Sequence, residues 1–325
     1  MKNEIWLHDK DFRKILVIES YTSFIWTDRF NEYGDFSITF KMDRTLLDTY
    51  KAGYYITTTF SDRMMIVEDF ELITDVESGD DLTITGRSLE GLLCRRIIWN
   101  QTIFNGNLQN AIEKLLNDAI INPSIADRKI SNFVFRRTDN EYINSITIDT
   151  QYTGDNLYDV ISDLCKESNI GFKVIFEDGF FVFSLFVGED NTADVIFSPE
   201  FGNLQSSDYK EMNSEYKNVA LVAGEGEGNA RKTTTIGESS GLDRKELYVD
   251  ARDLSTNNGA IALATYYEQL KQRGNEKLAE NQKIHSHYGD IIPNVYKSYG
   301  IDYHIGDFVS FIDSYGFKSN PRVDE

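Results

Sequence analysis

Three glycines at alternate positions, Gly224, Gly226 and Gly228, form the part of this sequence that most resembles a site for chemistry. They follow a strand-like segment, Val219 to Val222, as phosphate-binding glycine loops do. Such a loop also needs a helix that begins directly after the glycines and presents its amide groups to phosphate. Here the following residues, Arg231 to Thr235, have the pattern of a strand, and the two glutamates between the glycines would repel phosphate. We therefore interpret the glycines as a structural motif, the turn of a hairpin, with nucleotide binding as an alternative.

Histidine ligands for a metal ion are a second possibility. His285 and His287 would point the same way from a strand and could share one metal ion. A zinc site normally has three or four protein ligands, and the other two histidines, His8 and His304, show no spacing that supplies them. We predict no metal site and interpret the first pair as surface residues.

We assign no residues to nucleophilic or acid–base catalysis. Cys94 and Cys165 lie among apolar residues at helical spacing, which is typical of buried free thiols. We predict no nucleophile elbow, and no histidine lies near Cys94 in the sequence. With 53 acidic residues, some pair of carboxylates must lie close in space, so a wall-cleaving glycosidase remains an alternative without residues to name. We predict no catalytic and no cofactor-binding residues.

The composition restricts the partners of the chain. Its 53 acidic and 33 basic residues give a net charge of −20, which would repel a phosphate backbone. No run approaches the roughly 18 apolar residues of a membrane span, and the first residues lack the apolar stretch of a signal peptide. We expect a protein made in a cytoplasm, without a membrane partner. The aromatic content of 13% and only four prolines favour strands.

The first region, residues 1–100, has the period of two that is typical of half-buried strands. Phe36, Ile38, Phe40 and Met42 alternate with polar residues. Weaker copies cover Tyr54 to Phe60 and the pair Leu82 and Ile84, with turns at Tyr33-Gly34, Ser61-Asp62 and Ser78-Gly79-Asp80-Asp81. We predict a small antiparallel barrel or sandwich, closed by a short helix over Ser88 to Arg96.

The middle region, residues 101–192, changes to helical period. Leu108 to Ala119 repeats apolar residues three and four apart behind the cap candidate Asn107. A second helix is predicted over Leu157 to Cys165, with Asp155 as its cap and an end at Asn169 and Gly171. Phe172 to Val187 then folds back on Asp178-Gly179, a strong hairpin signal.

The third region, residues 193–325, returns to strands and contains one long helix. The helix is predicted from Ala260 to Asn281, with Gly274 as a weak point. Its apolar face is predicted at Ile261, Ala264, Tyr267 and Leu270, and the strands at Asn218 to Ala223, Thr233 to Ile236, Lys245 to Val249 and Asp307 to Ile312. The last residues, NPRVDE, carry no cap and no polar tail, so we expect the fold to continue beyond them.

These regions together predict a β-rich α+β protein. Two barrel-like antiparallel β domains, residues 1–100 and 193–325, flank a smaller α+β domain, residues 101–192. The second barrel-like domain carries the long helix as an insertion.

Six strings in a fixed order resemble one protein family, the tail-associated hub proteins of long-tailed siphoviruses and of related prophage particles. The resemblance spans roughly Tyr21 to Val309 and includes the glycine motif. The strings are SFIWTDRFNEYGDFSITF (23–40), ITGRSLEGLLCRRIIWNQT (84–102), QYTGDNLYDVISDLC (151–165), IFSPEFGNLQSSDY (196–209), NVALVAGEGEGNARK (218–232) and GLDRKELYVDARDL (241–254).

The resemblance implies a homotrimeric structural hub, similar to the baseplate hubs of contractile tails and located at the tip of the virion tail. Two barrels from each of three chains would form a ring of six similar units, so that a threefold tip can dock onto a sixfold tail ring. The implied partners are the distal tail protein, the tape-measure protein and a tail fibre or tip protein, with DNA only passing through the lumen. A tail-associated cell-wall-degrading enzyme is the alternative function.

Overall fold

The computed structural model describes residues 4–77, 79–292 and 297–325, without the side chains of Tyr209, of residues 284–288 and of Asp290. Within these ranges, strands form six separate sheets, and five α-helices accompany them. The predicted β-rich α+β class is confirmed. None of the helices in this part of the chain is long and apolar enough to cross a membrane.

The N-terminal part of the chain forms one antiparallel sheet of seven strands with the order β2-β1-β5-β6-β7-β4-β3. The predicted alternation is confirmed in β4, where Phe36, Ile38 and Phe40 are buried on one face. The elements are β1 (Ile5–His8), β2 (Lys14–Val17), β3 (Ser23–Thr27), β4 (Asp35–Lys41), α1 (Arg44–Thr49), β5 (Tyr55–Thr58), β6 (Met64–Ile73) and β7 (Asp81–Ser88).

This sheet is open in the described residues. Its outer strands are β2 and β3, and no pairing joins them. The turn predicted at Ser61-Asp62 joins β5 to β6, whereas Ser78 of the next predicted turn lies outside the described residues. Strands β4, β5 and β7 are therefore those predicted, the other four strands were not predicted, and closure into a barrel is not observed.

The middle of the chain contains a helical layer and two small sheets. Strand β10 pairs with β8, and β12 lies between antiparallel β11 and parallel β9. The elements are β8 (Thr102–Asn107), α2 (Leu108–Leu116), which a π-helical turn continues (Asn117–Ile121), a 3-10 turn (Ala126–Arg128), β9 (Phe133–Arg136), α3 (Glu141–Ser145), β10 (Thr147–Tyr152), α4 (Leu157–Glu167), β11 (Gly171–Glu177) and β12 (Phe180–Phe186).

The caps and turns of these elements could be predicted from sequence because each depends on contacts between residues a few positions apart. The side chain of Asn107 accepts a hydrogen bond from the amide of Asn110 and caps α2 as predicted. Asp178 and Gly179 have φ angles of 51° and 83° and form the predicted hairpin turn. The predicted cap of α4 is wrong by one residue, since Asn156 caps the helix and Asp155 instead binds the amide of Thr153.

The short helix after β7 is a 3-10 helix, Leu89–Arg95, and it does not close a barrel. Leu89, Leu92 and Leu93 are buried in the cluster that contains α2, α4 and β11, not in the core of the seven-stranded sheet. The helix therefore joins the sheet to the middle region.

The C-terminal part forms three small sheets, β13-β19-β20, β14-β18 and β16-β15-β17. The elements are β13 (Ile196–Phe197), β14 (Leu204–Met212), β15 (Val219–Ala223), β16 (Thr233–Ile236), β17 (Glu246–Asp250), α5 (Leu263–Ala279), β18 (Ile284–Ile291), β19 (Ser310–Ile312) and β20 (Lys318–Ser319). Single 3-10 turns lie at Pro199–Phe201, Gly228–Ala230, Gly241–Asp243 and Asn257–Gly259.

Helix α5 buries the predicted face only in part, since Leu270 of that face is fully buried but the buried side also includes residues that were not predicted. Tyr266 is fully buried, whereas Ala264 is exposed and Tyr267 only half-buried. Gly274 is a contact point rather than a weak point, because an added Cβ would lie 2.4 Å from Ile236 Cδ1 and 2.6 Å from Val222 Cγ2. Its missing side chain lets α5 approach β15 and β16.

Polar and aromatic contacts tie the three parts together. Glu90, fully buried in the 3-10 helix, forms an ion pair with Arg63 of the sheet and accepts a hydrogen bond of 2.9 Å from the amide of Val174. Near the other end of the chain, the carbonyl of Asp324 accepts a hydrogen bond of 3.1 Å from the amide of Phe30, a residue only 2% exposed.

Candidate functional site

The glycine motif lies in the connection between β15 and β16, which pair as antiparallel neighbours. Gly226 and Gly228 have positive φ angles, 98° and 54°. Gly224 is required for a different reason, because a Cβ there would lie 2.1 Å from Tyr266 Oη. One 3-10 turn at Gly228–Ala230 and then β16 follow, so the segment does not have the helix of a nucleotide-binding loop.

Glu225, between the glycines, is bound inside the chain. Its carboxylate accepts hydrogen bonds from the amide and the hydroxyl of Thr256 at 2.9 and 2.7 Å, and it forms an ion pair with Lys232. The hydrogen bond from Lys232, then those from Thr256, lower the pKa of Glu225 to about 2. Its amide donates to Tyr266 Oη at 2.8 Å. The loop is therefore anchored to α5 and the segment before it.

The opposite side of α5 packs against β10 and α4 through buried polar side chains. Gln269, 1% exposed, accepts a hydrogen bond of 2.9 Å from Gln151 of β10. Two turns later, Glu276 accepts a hydrogen bond of 2.7 Å from Tyr152 Oη. Arg273, between them, forms an ion pair of 3.0 Å with Asp253. We call this set of buried contacts the α5 seam.

Three carboxyl groups have raised pKa values where α5 packs against its neighbours. They are Glu276 and two residues of α4, Glu167 and Asp163, which accept hydrogen bonds from Gln272 and Lys277 of α5 and which we include in the α5 seam. Burial, followed by the charge of Glu276, raises the pKa of Glu167 to about 8. Burial also raises the pKa of Glu276, although Arg273 opposes it, and the pKa of Asp163, although Lys277 opposes it. Glu167 of the seam therefore loses its proton only as the pH rises through about 8.

The α5 seam does not have the access that a glycosidase needs. An acid with a pKa near 8 could protonate a leaving group, but both carboxyl groups must flank a bound sugar. Glu276 is 2% exposed and covered by Tyr152 and Arg273. This carboxylate pair therefore does not support the alternative of a cell-wall-degrading enzyme.

The other candidates from the sequence lie apart. Cys165 is buried and Cys94 half-buried, and burial raises the pKa of both thiols. His8 hydrogen-bonds to Thr57 at 2.8 Å, whereas the side chains of His285 and His287 lie outside the described residues. In the part of the chain that is described, no group of three or more histidine, cysteine or acidic residues could hold a metal ion.

An exposed groove went unnoticed in the sequence. Residues 98–103 and 114–128 line a cavity of about 550 Å³ that we call the Trp99 groove. The indole of Trp99 is 57% exposed and Ile103 40%, and the guanidinium carbon of Arg128 lies 5.4 Å from the indole centroid. An Arg-Arg pair, Arg95 and Arg96, close to a tryptophan in an acidic chain is the signal that could have identified it.

The sequence matches the siphovirus ReqiPepy6 Gp37-like protein family over residues 4–325. The chain belongs to this family. The resemblance to siphovirus tail proteins is thereby confirmed. A search of curated proteins found no match for this Gp37-like chain.

Solved structures of prophage tail proteins share the fold of this Gp37-like chain. A 43 kDa tail protein of prophage MuSo2 from Shewanella oneidensis is 15% identical, with a TM-score of 0.57 over 99% of this chain and 92% of that one. Prophage tail protein gp18 from Listeria monocytogenes is 14% identical, with a TM-score of 0.55 over 99% and 89%. A tail protein from Neisseria meningitidis is 12% identical, with a TM-score of 0.55 over 98% and 90%.

Proposed function

We propose that this chain is a structural hub at the tip of a siphovirus tail, where three copies form a ring at the end of the tail tube. The observation that carries the proposal is the family match over residues 4–325. The fold shared with prophage tail proteins over nearly their whole length supports it. The buried hydrogen bonds from Val174 to Glu90 and from Tyr152 to Glu276, which join the three parts of the chain, also suit a rigid structural component.

In this proposal, the domains comprise residues 1–100, 101–192 and 193–325. The first and third would supply two barrel-like units per chain, and three chains would present six such units to the sixfold tail ring. The seven-stranded sheet is open within one chain, so its outer strands β2 and β3 are available to neighbours. The middle domain would pack against both units, which also contact each other through the hydrogen bond between Asp324 and Phe30.

The proposed partners are those of a connector. The distal tail protein would lie above the ring, with the end of the tape-measure protein, and a tail fibre or tip protein would lie below it. DNA would pass through the lumen without being held. We also propose that the chain is not an enzyme.

Electron microscopy of intact phage tests the location. Gold-labelled antibody against the chain should bind one end of purified tails, distal to the head. A label distributed along the tube, or bound at the head, would exclude the hub. Antibody against a tube protein is the matched control for access to the tail.

Two solution measurements test the remaining parts of the proposal. Mass measurement of the chain mixed with the distal tail protein should give three copies bound to one ring. A stable dimer in this mixture would contradict the trimer. Incubation with purified peptidoglycan should release no soluble sugar or peptide, and release above a heat-inactivated control would instead favour the enzyme.

A further inference from the structure

The Trp99 groove carries positive charge that the chain itself does not neutralise. The guanidinium of Arg128 donates to the carbonyl of Ile97 at 2.6 Å, and that of Arg96 donates to the carbonyl of Arg128 at 3.0 Å. Among the described residues, neither guanidinium forms an ion pair, whereas Lys114 of the groove is paired with Asp118 at 2.6 Å. Burial and the nearby charges of Arg128 and Arg95 lower the pKa of Arg96, as expected of like charges held together.

An acidic surface lies at the turn of the β6–β7 hairpin. Residues 69–85, which we call the acidic hairpin, contain six acidic residues and no lysine, arginine or histidine. Val76 is fully exposed, and Leu72 and Ile73 are each about half exposed. Within the described part of the chain, Glu77 and Asp80 form no ion pair, while Asp81 is paired with Lys41. The acidic hairpin thus presents apolar side chains flanked by carboxylates.

We propose that the Trp99 groove is the docking site for the acidic hairpin of a second copy of this chain. The inference rests on the proposed ring. Charge complementarity selects this occupant. The groove offers an exposed indole beside the unpaired guanidinium of Arg128, which lines it, and that of Arg96, which adjoins Arg128. The hairpin offers Val76 beside Glu77 and Asp80. A contact between two different surfaces of identical chains is head-to-tail, and it closes into a ring when the rotation between copies permits. Desolvated arginine–carboxylate pairs would fix the register of neighbouring copies.

Charge reversal tests the contact in the 325-residue chain. Its self-association is measured by analytical ultracentrifugation up to about 100 µM, a concentration range that detects weak interfaces. The native chain should associate, and added salt should weaken the association. Reversing the groove with Arg96→Glu and Arg128→Glu, or the hairpin with Glu77→Lys and Asp80→Lys, should weaken association by about tenfold or more. The chain that carries all four substitutions should regain association.

A matched control changes the same amount of charge elsewhere. Arg13→Glu with Arg252→Glu alters two exposed arginines outside both surfaces and should leave association unchanged. Near-ultraviolet circular dichroism of each variant checks that it has folded. If the chain with all four substitutions folds but does not regain association, the proposed pairing of these two surfaces is wrong.

Two further results would contradict the contact between groove and hairpin without contradicting the proposed hub. A native chain that stays monomeric over the whole range would overturn the inference, while a trimer formed only on the distal tail protein would still satisfy the hub. If groove reversal abolishes binding of duplex DNA but leaves association intact, the groove serves nucleic acid and the inference is wrong.

Discussion

Gly226 and Gly228 both have positive φ angles, but their surroundings differ. A Cβ at Gly226 would lie 2.6 Å from the carbonyl oxygen of Ala230, whereas no atom lies within 4 Å of a Cβ at Gly228. We expect Gly226→Val to lower the free energy of unfolding by at least about 2 kcal/mol, because strain and close contact add. Gly228→Ala, the matched control, should cost about 1 kcal/mol. Equal losses in chemical denaturation would mean that backbone conformation alone matters.

The raised pKa of Glu167 predicts that stability falls as pH rises. Between the ordinary value of 4.5 and about 8, the folded chain holds a proton that the unfolded chain has lost. The free energy of unfolding therefore decreases through this window, and the loss is complete above the folded-state pKa. Denaturant titrations at pH 5, 7 and 9 should show this order of stability in the native chain.

The variant Glu167→Gln isolates this carboxyl group. It removes the charge that burial disfavours and should raise the free energy of unfolding at pH 9 by on the order of 1 kcal/mol, with little effect at pH 5. Glu141→Gln changes an exposed glutamate outside the α5 seam and serves as control. A Glu167→Gln chain with an unaltered pH profile would show that other groups cause the decline.

At the scale of elements, the apolar stripes of α2 and α4 predict the response to a buried charge. Leu115 is 3% exposed and Leu164 fully buried, and both lie in the same core cluster. Leu115→Asp or Leu164→Asp should unfold the middle region, because an unpaired buried carboxylate costs several kcal/mol. Leu242→Asp, at a fully exposed leucine, should be neutral. Native-like near-ultraviolet dichroism in both buried variants would contradict this core.

The sequence predicts elements where their signals are local and apolar. Strand β4, helix α2 and the β11–β12 hairpin follow from alternation, spacing and turn residues within each segment. The face of α5 was predicted only in part because its buried side includes Gln269, Arg273 and Glu276, which an apolar period counts as exposed. Those residues are buried because partners on β10 and elsewhere satisfy their polar groups.

The glycine motif was located from sequence, but the role of Glu225 was not. Its partner Thr256 lies 31 residues away, and Tyr266 lies 41 residues away. No local pattern connects such positions, since the contacts exist only after α5 packs on β15. The Trp99 groove was missed for a related reason, because two separate segments, residues 98–103 and 114–128, form its walls.

At the scale of the whole molecule, net charge governs contact with passing DNA. Three copies of a chain with a charge of −20 carry −60, so long-range forces repel phosphate despite the arginines of the Trp99 groove. We expect no micromolar binding of duplex DNA at about 20 mM salt, where screening is weakest. Fluorescence anisotropy with a labelled duplex measures this. Micromolar affinity that falls steeply with added salt would indicate a basic channel wall.

The contacts around Phe30 also determine when the fold can be completed. The carboxylate of Glu325 pairs with Arg29 across a separation of 296 residues, next to the hydrogen bond between Asp324 and Phe30. During translation at 5–20 residues per second, the loop that surrounds Phe30 waits roughly 15–60 s for these partners to leave the ribosome. The seven-stranded sheet is synthesised early and must stay soluble through that interval while this loop lacks its C-terminal partners.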